Sequence, residues 1–322
     1  MTITPEQLNF RRGKIGASEM AQAVGRGWGG KTRAHLYHKL KGNIERDPET
    51  ISQRVGNHME PLILREYERA TGRDAMEFPE TQVHPDEPRI ICHCDGKTVN
   101  AVPERLIEIK NVGPHMKQGW SEGPPEYVRI QACGQSMLTG IKRVDVAAYF
   151  GGNDLSVFEL EFNASDHAKL YDALKDFLGF VDRNEEPPHV QADLPFLGSY
   201  YEDSGDSIEA NTEILVTASR LAQLKSKLTA DKDYKEVMDS LEFKIKEYMG
   251  EHSTLMNRDG DVIWTWKANK DKKVVDWEAV AFELATMMDV LEDRDVHVKL
   301  LPTYAARHTT TKKGSRVFKC KI

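Results

Sequence analysis

The sequence predicts an α/β fold in which helices flank a mixed central sheet, followed by a smaller, mostly helical C-terminal region. Apolar residues that recur at every second position predict strands at 89–94 and 105–110. Between Pro125 and Gly140, apolar residues at helical spacing predict a helix over 126–139 that packs on the sheet. The rest of this unit is predicted to be two strands and a closing helix, at 144–150, 155–162 and 165–183.

Two domains are expected, with a boundary between about Gln191 and Ser204. We assign residues 1–195 to the α/β core and 196–322 to the C-terminal region. In the second part, a stretch rich in Lys and Glu predicts long amphipathic helices. A hairpin at Asp259-Gly260, a helix near Trp277 to Met288 and a basic tail follow.

Composition indicates a soluble globular protein, since 39% of the residues are hydrophobic and 30% are charged. The apolar stretches are too short to span a membrane, and we expect no secretory signal. The four cysteines show no disulfide-framework spacing, which suits the cytoplasm. A net charge of −7 argues against a basic surface throughout. Basic residues are nevertheless concentrated near both ends, which could contact phosphate or simply form solvated surface.

The N-terminal third is predicted to be helical. Ser18 is expected to be the N-cap of a short helix that Gly25 ends. A loop containing Trp28 leads to an amphipathic helix, and a longer helix follows. Because proline removes a backbone hydrogen bond, we expect a kink or a new helix start at Pro61.

The main chemical signal is Asp95 followed by Glu108 and Lys110. On a strand, Glu108 and Lys110 share one face, which leaves Ile107 and Ile109 to pack on the other. We expect Asp95-Gly96 to be a turn at the end of the neighbouring strand, from which Asp95 reaches the same place across a hairpin. Two converging carboxylates favour Mg²⁺ or Mn²⁺ between them, and an adjacent lysine can orient water or offset phosphate charge. The alternative is a surface strand with a cross-strand ion pair.

This arrangement resembles the PD-(D/E)xK nuclease signature, and its surroundings resemble the phage lambda-type exonucleases, also called YqaJ-like viral recombinases. The segment Arg11 to Ser18 resembles the family's opening motif. Gly56 to Glu60 resembles its G-x-x-x-E helix, and Gln131 to Gly140 resembles the helix after E-x-K. The motifs occur in the family's order and cover roughly the first 160 residues.

The resemblance implies roles for particular residues. Asp95, Glu108 and Glu60 would be catalytic metal-binding carboxylates, and Ile109 would contribute its backbone carbonyl to a metal. Lys110 and Gln131 would be catalytic, with Gln131 positioning water or a phosphate. The DNA and its 5′-phosphate would meet a further set of residues: Arg11, Ser18, Trp28, Lys31 and Arg33.

The resemblance also implies a Mg²⁺-dependent exonuclease that degrades one strand of duplex DNA from its 5′ end. It would release 5′-mononucleotides and leave a 3′ overhang for annealing-type recombination. Two ions are expected, with Mn²⁺ able to substitute. A homotrimer, a single-strand annealing protein as partner and a phage or prophage origin in the bacterial cytoplasm are implied as well. The alternatives are an endonuclease or repair nuclease of the same superfamily and a non-catalytic module that binds DNA ends.

Overall fold

The computed structural model describes residues 10–11, 13–44, 50–151, 154–226, 232–277, 279–281, 283 and 294–321. By its internal contacts the chain divides into two compact units, Met1–Phe196 and Leu197–Ile322. In the described ranges, no helix combines the length and the apolar character needed to cross a lipid bilayer.

The first unit contains a run of helices interrupted by short strands. Its helices are α1 (Ala17–Ala23), α2 (Arg33–Lys41), α3 (Ile51–Thr71), α4 (Glu126–Thr139) and α5 (Ala164–Arg183). Its strands are β1 (Ile15–Gly16), β2 (Ala75–Glu77), β3 (Gln82–Val83), β4 (Ile90–Cys92), β5 (Gly96–Thr98), β6 (Arg105–Asn111), β7 (Arg143–Tyr149) and β8 (Leu155–Glu161). Short 3-10 turns occur at Pro114–Trp120 and Gln191–Asp193.

A five-stranded mixed sheet in the order β2-β5-β6-β7-β8 is the centre of this unit, which confirms the predicted fold class. Strands β6 and β7 are parallel, with Glu108 opposite Val146, whereas the other neighbours are antiparallel. A parallel pair needs a crossover, and helix α4 supplies it. A second, three-stranded sheet has the order β1-β4-β3.

Helices cover both faces of the central sheet because the buried strand β6 alternates its side chains. Ile107 and Ile109 pack with Ile63 and Tyr67 of α3. On the other face, Leu106 belongs to a core that α1, α4 and α5 complete. A Cβ on Gly134 would lie 2.1 Å from the Met20 sulfur, so this glycine allows α4 to approach α1.

Helix α3 runs without a break through Pro61, so a new helix start is not observed there. It ends at Gly72, whose φ of 68° is the left-handed conformation that glycine adopts readily. Helices α4 and α5 have almost the predicted bounds. Asn163 caps α5 by accepting hydrogen bonds from Ser165 and Asp166.

The second unit contains helices and two small sheets. Its helices are α6 (Leu197–Tyr200), α7 (Thr212–Ser226), α8 (Lys232–Met249) and α9 (Arg294–Arg307). Its strands are β9 (Ser207–Glu209), β10 (Thr254–Met256), β11 (Val262–Ala268), β12 (Lys272–Val275), β13 (Thr309–Lys312) and β14 (Arg316–Cys320). They form sheets of order β14-β11-β10-β9 and β12-β13. The helix predicted near Trp277 to Met288 lies largely outside the described residues.

A buried charge network ties α3 to the central sheet. Asp145 of β7 is fully buried and accepts hydrogen bonds from Tyr67 at 2.7 Å, Arg73 at 2.9 Å and Arg105 at 2.8 Å. Glu159 of β8 binds both arginines at 2.6 Å from a half-exposed position. Burial, and then the hydrogen bond to Asp145, raises the pKa of Tyr67 to about 12. Asp145 therefore balances buried positive charge at the junction of helix and sheet.

We expect Asp145→Ala to destabilise β6 and β7 by about 3–5 kcal/mol, because it leaves Arg105 buried without its carboxylate. Glu159→Ala, which removes the half-exposed partner, should cost under about 1 kcal/mol. Hydrogen exchange of peptides that cover 105–111 and 143–149 measures both effects in the full chain. Equal losses in the two variants would show that burial of Asp145 is not the deciding factor.

Candidate metal centre

Asp95 lies directly before β5, and its carboxylate is held by the backbone of β6. Its Oδ2 accepts a hydrogen bond from the Ile109 N–H at 2.7 Å. The prediction that Asp95-Gly96 forms a turn is wrong, because Gly96 belongs to β5 and pairs with Ile107. Glycine is required there for close packing: a Cβ would lie 2.9 Å from the Met76 carbonyl oxygen. Asp95 thus reaches β6 from the start of the neighbouring strand.

Glu108 and Lys110 share the face of β6 that meets α4, and they contact each other. Lys110 Nζ lies 2.6 Å from Glu108 Oε1. Gln131 of α4 accepts from Lys110 at 3.0 Å and donates to the same Glu108 oxygen at 2.7 Å. Gln135, one turn later, donates to Glu108 Oε2 at 2.5 Å and to the His93 carbonyl oxygen at 3.1 Å. Both glutamines therefore hold Glu108 in one orientation.

The charges of this cluster oppose one another. Burial, together with repulsion from Glu108, raises the pKa of Asp95 well above its ordinary value, although Lys110 and the Ile109 N–H act against the rise. Burial acts to lower the pKa of Lys110, but Glu108 and Asp95 outweigh it and the pKa is raised. Lys110 therefore remains an ammonium, while the metal-free site disfavours charge on Asp95.

A cavity of about 210 Å³ opens beside Asp95 and Ile109. Glu60 of α3 faces it, and Glu60 also raises the pKa of Asp95, which places the two carboxylates near each other. The cavity's other polar and charged lining residues are Arg11, Asn57, Glu77 and His93. The structure thus brings Asp95, Glu60, Ile109 and Arg11 to one cavity.

The donor set at this cavity fits a hard divalent cation. Asp95 and Glu60 line the cavity and offer carboxylate oxygens, the ligand type that Mg²⁺ and Mn²⁺ prefer. Glu108 is not among the lining residues, but its charge contributes to the raised pKa of Asp95. The N–H and C=O of one strand residue point to the same edge, so the Ile109 carbonyl faces the edge where its N–H binds Asp95. Repulsion between Asp95 and Glu108 is the cost that a cation would remove.

Arg11 forms a polar chain into the same cavity. Its guanidinium donates to His93 Nδ1 at 2.9 Å, and His93 Nε2 lies 2.7 Å from the Thr81 hydroxyl. An Arg donor at Nδ1 requires a neutral imidazole with its proton on Nε2. Burial and the charge of Arg11 lower the pKa of His93, which favours that neutral form.

The prediction that Ser18 is a helix N-cap is wrong. The N-cap of α1 is Gly16, and its N–H donates to Glu19 Oε2 at 3.0 Å. Ser18 lies exposed in the first turn and is not among the residues that line the described cavity. Gly16 has no side chain that could cap the helix. The carboxylate of Glu19, three residues after Gly16, instead accepts the hydrogen bond from the Gly16 N–H.

The remaining predicted DNA contacts, Trp28, Lys31 and Arg33, do not line the cavity among the described residues. Trp28 is 60% exposed, and its ring lies 6.0 Å from that of Tyr127 at the start of α4. Lys31 is exposed. Arg33 instead pairs with Asp176 of α5 at 2.6 Å, which offsets its charge.

The sequence analysis missed some residues of the site. His93 and Glu77 line the cavity, and Gln135 binds Glu108. Gln135 lies four residues after Gln131, and this spacing placed both on one flank of the predicted helix, but only Gln131 was assigned to the site. Glu77 and His93 carried no comparable signal, since they come from short strands and loops whose placement depends on the tertiary fold.

We expect Asp95→Asn to stabilise the metal-free protein increasingly as pH rises. A carboxyl whose pKa is raised on folding contributes stability below about pH 4, and this is lost as pH rises through its folded pKa. In the presence of chelator, the wild type should therefore lose stability relative to Asp95→Asn as the pH rises. The measured quantity is the free energy of unfolding of the wild type minus that of the variant. Urea unfolding at a series of pH values measures this difference.

Added Mg²⁺ should reverse the order by stabilising the wild type more than Asp95→Asn. The matched control is Asp172→Asn, an exposed aspartate on α5, which should respond to Mg²⁺ as the wild type does. A difference that stays flat with pH and is insensitive to Mg²⁺ would contradict the assignment of Asp95 as a metal ligand.

Comparison with known proteins agrees with the sequence analysis. Residues 6–142 match the model of the YqaJ-like viral recombinase domain. No curated protein matches the chain.

Solved structures with similarity include an alkaline exonuclease (LHK-Exo) from Laribacter hongkongensis, at 20% identity and a TM-score of 0.48 over 56% of this chain and 94% of that one. A phage-related exonuclease from Haemophilus somnus 129PT has 10% identity and a TM-score of 0.42 over 53% of this chain and 94% of that one. Residues 6–142 of this chain are therefore similar to the YqaJ-like viral recombinase domain.

Proposed function

We propose that this protein is a Mg²⁺-dependent exonuclease that degrades one strand of duplex DNA from the 5′ end. It would release 5′-mononucleotides and leave 3′ overhangs for annealing-type recombination. The observation that carries the proposal is the meeting of Asp95, Glu108 and Lys110 at one end of β6. A surface ion pair does not account for this cluster, because Glu108 is only 1% exposed and Asp95 is partly buried.

Asp95, Glu108, Glu60 and the Ile109 carbonyl would hold the metal, with two Mg²⁺ ions expected and Mn²⁺ able to substitute. When bound, the metal supplies Lewis-acid activation of water and offsets charge on the phosphate. The acids are placed for this by the backbone: Ile109 N–H orients Asp95, and Gln131 and Gln135 orient Glu108.

Lys110 and Gln131 would act on the phosphate and on the attacking water. The raised pKa of Lys110 keeps its ammonium charged, so it can offset negative charge that develops on the scissile phosphate. Gln131 already bonds both Lys110 and Glu108, and it would hold water or a phosphate oxygen between them.

A 5′-phosphate would be bound at the Arg11 end of the cavity. Arg11 shares this cavity with Asp95, and its charge suits a terminal phosphate. We propose that Ser18 contributes a hydroxyl and that Trp28, Lys31 and Arg33 contact the DNA outside the cavity. The ion pair with Asp176 makes Arg33 the weakest of these contacts.

We further propose a homotrimer that encloses the DNA, a single-strand annealing protein as partner, and a place in the bacterial cytoplasm as a phage or prophage protein. A closed ring would reconcile a net charge of −7 with DNA binding, because basic residues need only line its hole. Residues 1–195 would be the nuclease core, and 196–322 a separate C-terminal region.

We expect Lys110→Ala to lower the rate of nucleotide release from linear duplex DNA by at least about 100-fold while DNA-end binding persists. The loss follows from removal of the one cation that contacts Glu108 directly among the described residues. Release of acid-soluble nucleotides with Mg²⁺, and again with chelator, measures it. Lys97→Ala is the matched control, since this β5 lysine pairs with Glu104 at 3.1 Å outside the cluster.

The same assay separates the alternatives. Cleavage of closed circular duplex would favour an endonuclease or repair nuclease. If Mg²⁺ gives no nucleotide release and Asp95→Ala binds duplex ends as the wild type does, the protein is a non-catalytic end-binding module and the proposal fails.

Arg11→Ala is expected to reduce the preference for 5′-phosphorylated over 5′-hydroxyl ends, because it removes the cavity's arginine. Initial rates on the two substrates give the preference as a ratio. Arg26→Ala is the matched control, as this exposed arginine pairs with Glu126 at 3.6 Å. An unchanged ratio in Arg11→Ala would remove Arg11 from the phosphate site.

A further inference from the structure

A second cluster of metal-ligand side chains lies in the first unit, apart from the Asp95 cavity. Its members are His38 of α2 together with Glu186 and His189, which follow α5. His38 Nε2 lies 2.6 Å and His189 Nε2 lies 2.5 Å from the same oxygen of Glu186. The three ligand atoms all lie within 4.8 Å of one another. Two imidazoles and one carboxylate therefore converge on a single point.

The cluster is largely shielded from solvent. The side chains of His38 and His189 are each 6% exposed, and that of Glu186 is 31% exposed. Both imidazole nitrogens are buried and contact the same carboxylate oxygen. A solvent-exposed ion pair differs from this arrangement, because its side chains remain mobile. The partial exposure of Glu186 leaves a path by which an ion could enter.

The protein holds the segment that carries Glu186 and His189 in place at several points. Pro187 and Pro188 separate the two ligands and restrict the backbone between them. Further along, the Thr32 hydroxyl at the start of α2 donates to the fully buried Asp193. The rings of His35 and Phe196 are 4.3 Å apart. The segment after α5 is thus fastened along α2, which preorganises the three ligands.

A neighbouring amide orients the His38 ring. The amide nitrogen Nδ2 of Asn43 lies 3.0 Å from His38 Nδ1, on the side of the ring away from Glu186. Metal-binding histidines commonly use their other ring nitrogen in such a contact, which fixes the tautomer. With Nδ2 as the donor, Nδ1 accepts and Nε2 carries the proton that faces Glu186. Zinc at Nε2 requires that proton to move to Nδ1 and the Asn43 amide to turn its oxygen toward it.

The donor set selects for a particular kind of cation. Imidazole nitrogens suit Zn²⁺ far better than Mg²⁺, and a carboxylate completes a familiar zinc set in which water fills the remaining position. Bond lengths of about 2.0–2.1 Å place ligand atoms of a tetrahedral site about 3.3 Å apart. Opening the present 2.5–2.6 Å contacts to that spacing requires shifts of less than about 1 Å.

We propose that His38, Glu186 and His189 form a zinc site, independent of the Asp95 centre, that clamps the segment after α5 to α2. Its role is structural, because no catalytic residue of the proposed nuclease lies in the cluster. The bound ion would replace the two histidine–glutamate hydrogen bonds with direct coordination. The inference stands whether or not the nuclease proposal holds.

The test uses the untagged full chain, stripped with chelator and then held in excess Mg²⁺ so that the oxygen-rich Asp95 centre is occupied. Titration with Zn²⁺ by calorimetry should give one site per chain, and Co²⁺ should give the intense visible absorption of a low-coordinate site with nitrogen ligands. Zn²⁺ should also raise the melting temperature.

His189→Ala and Glu186→Gln should each weaken Zn²⁺ binding at least tenfold and abolish the Co²⁺ absorption. Glu185→Gln is the matched control, because this adjacent glutamate pairs with Arg183 at 2.7 Å instead. Should His189→Ala fail to fold, His189→Gln keeps the size of the side chain and answers the same question. Asn43→Ala should weaken binding by a smaller factor.

The proposal is overturned if the wild type binds no Zn²⁺ in excess Mg²⁺, or if His189→Ala and Glu185→Gln bind it equally well. In the first case the cluster is a hydrogen-bonded pair of histidines on one carboxylate. In the second case the ion binds elsewhere in the chain.

Discussion

The packing of a buried and a partly buried carboxylate, Glu108 and Asp95, against the end of one strand is the constraint on which the site depends. Asp95 and Glu108 repel each other, and this repulsion contributes to the raised pKa of Asp95. The fold tolerates the pair because each acid has a fixed donor: Ile109 N–H for Asp95, and Lys110 with two glutamines for Glu108. These donors do not cancel the repulsion between Asp95 and Glu108 completely. A divalent cation bound between the carboxylates would remove the rest of this unfavourable energy.

The elements around β6 explain how this one strand positions both Asp95 and Glu108. Strand β6 is buried on both faces, so alternate residues face α3 and α4. Its parallel pairing with β7 places helix α4, and with it Gln131, over the face that carries Glu108 and Lys110. On the other side β5 pairs only as far as Ile107, so the N–H of Ile109 is available to Asp95. Because β5 stops pairing with β6 at Ile107, the edge of β6 beyond that residue can bind Asp95.

Buried polar networks recur through the first unit. Asp145 joins α3 to the sheet through Tyr67 and two arginines, and the Asp95 cluster joins the residue before β5 to β6 and α4. The His38–Glu186–His189 cluster fastens the segment after α5 to α2. Each network connects elements distant in sequence. Since a buried charge without its partner is costly, each one favours a single arrangement of the elements it joins.

The sequence by itself determined the mixed α/β class, the bounds of α4 and α5, and the sharing of one face by Glu108 and Lys110, because helical and strand periodicities are local properties. It was wrong at Gly96 and Ser18, where a close backbone approach and a reaching glutamate decided the local structure. The family resemblance pointed to Glu60, whereas only the tertiary structure brought Glu77 and His93 to the cavity and His38 to Glu186. These contacts join elements that fold together only when the core forms, and no spacing along the chain encodes them.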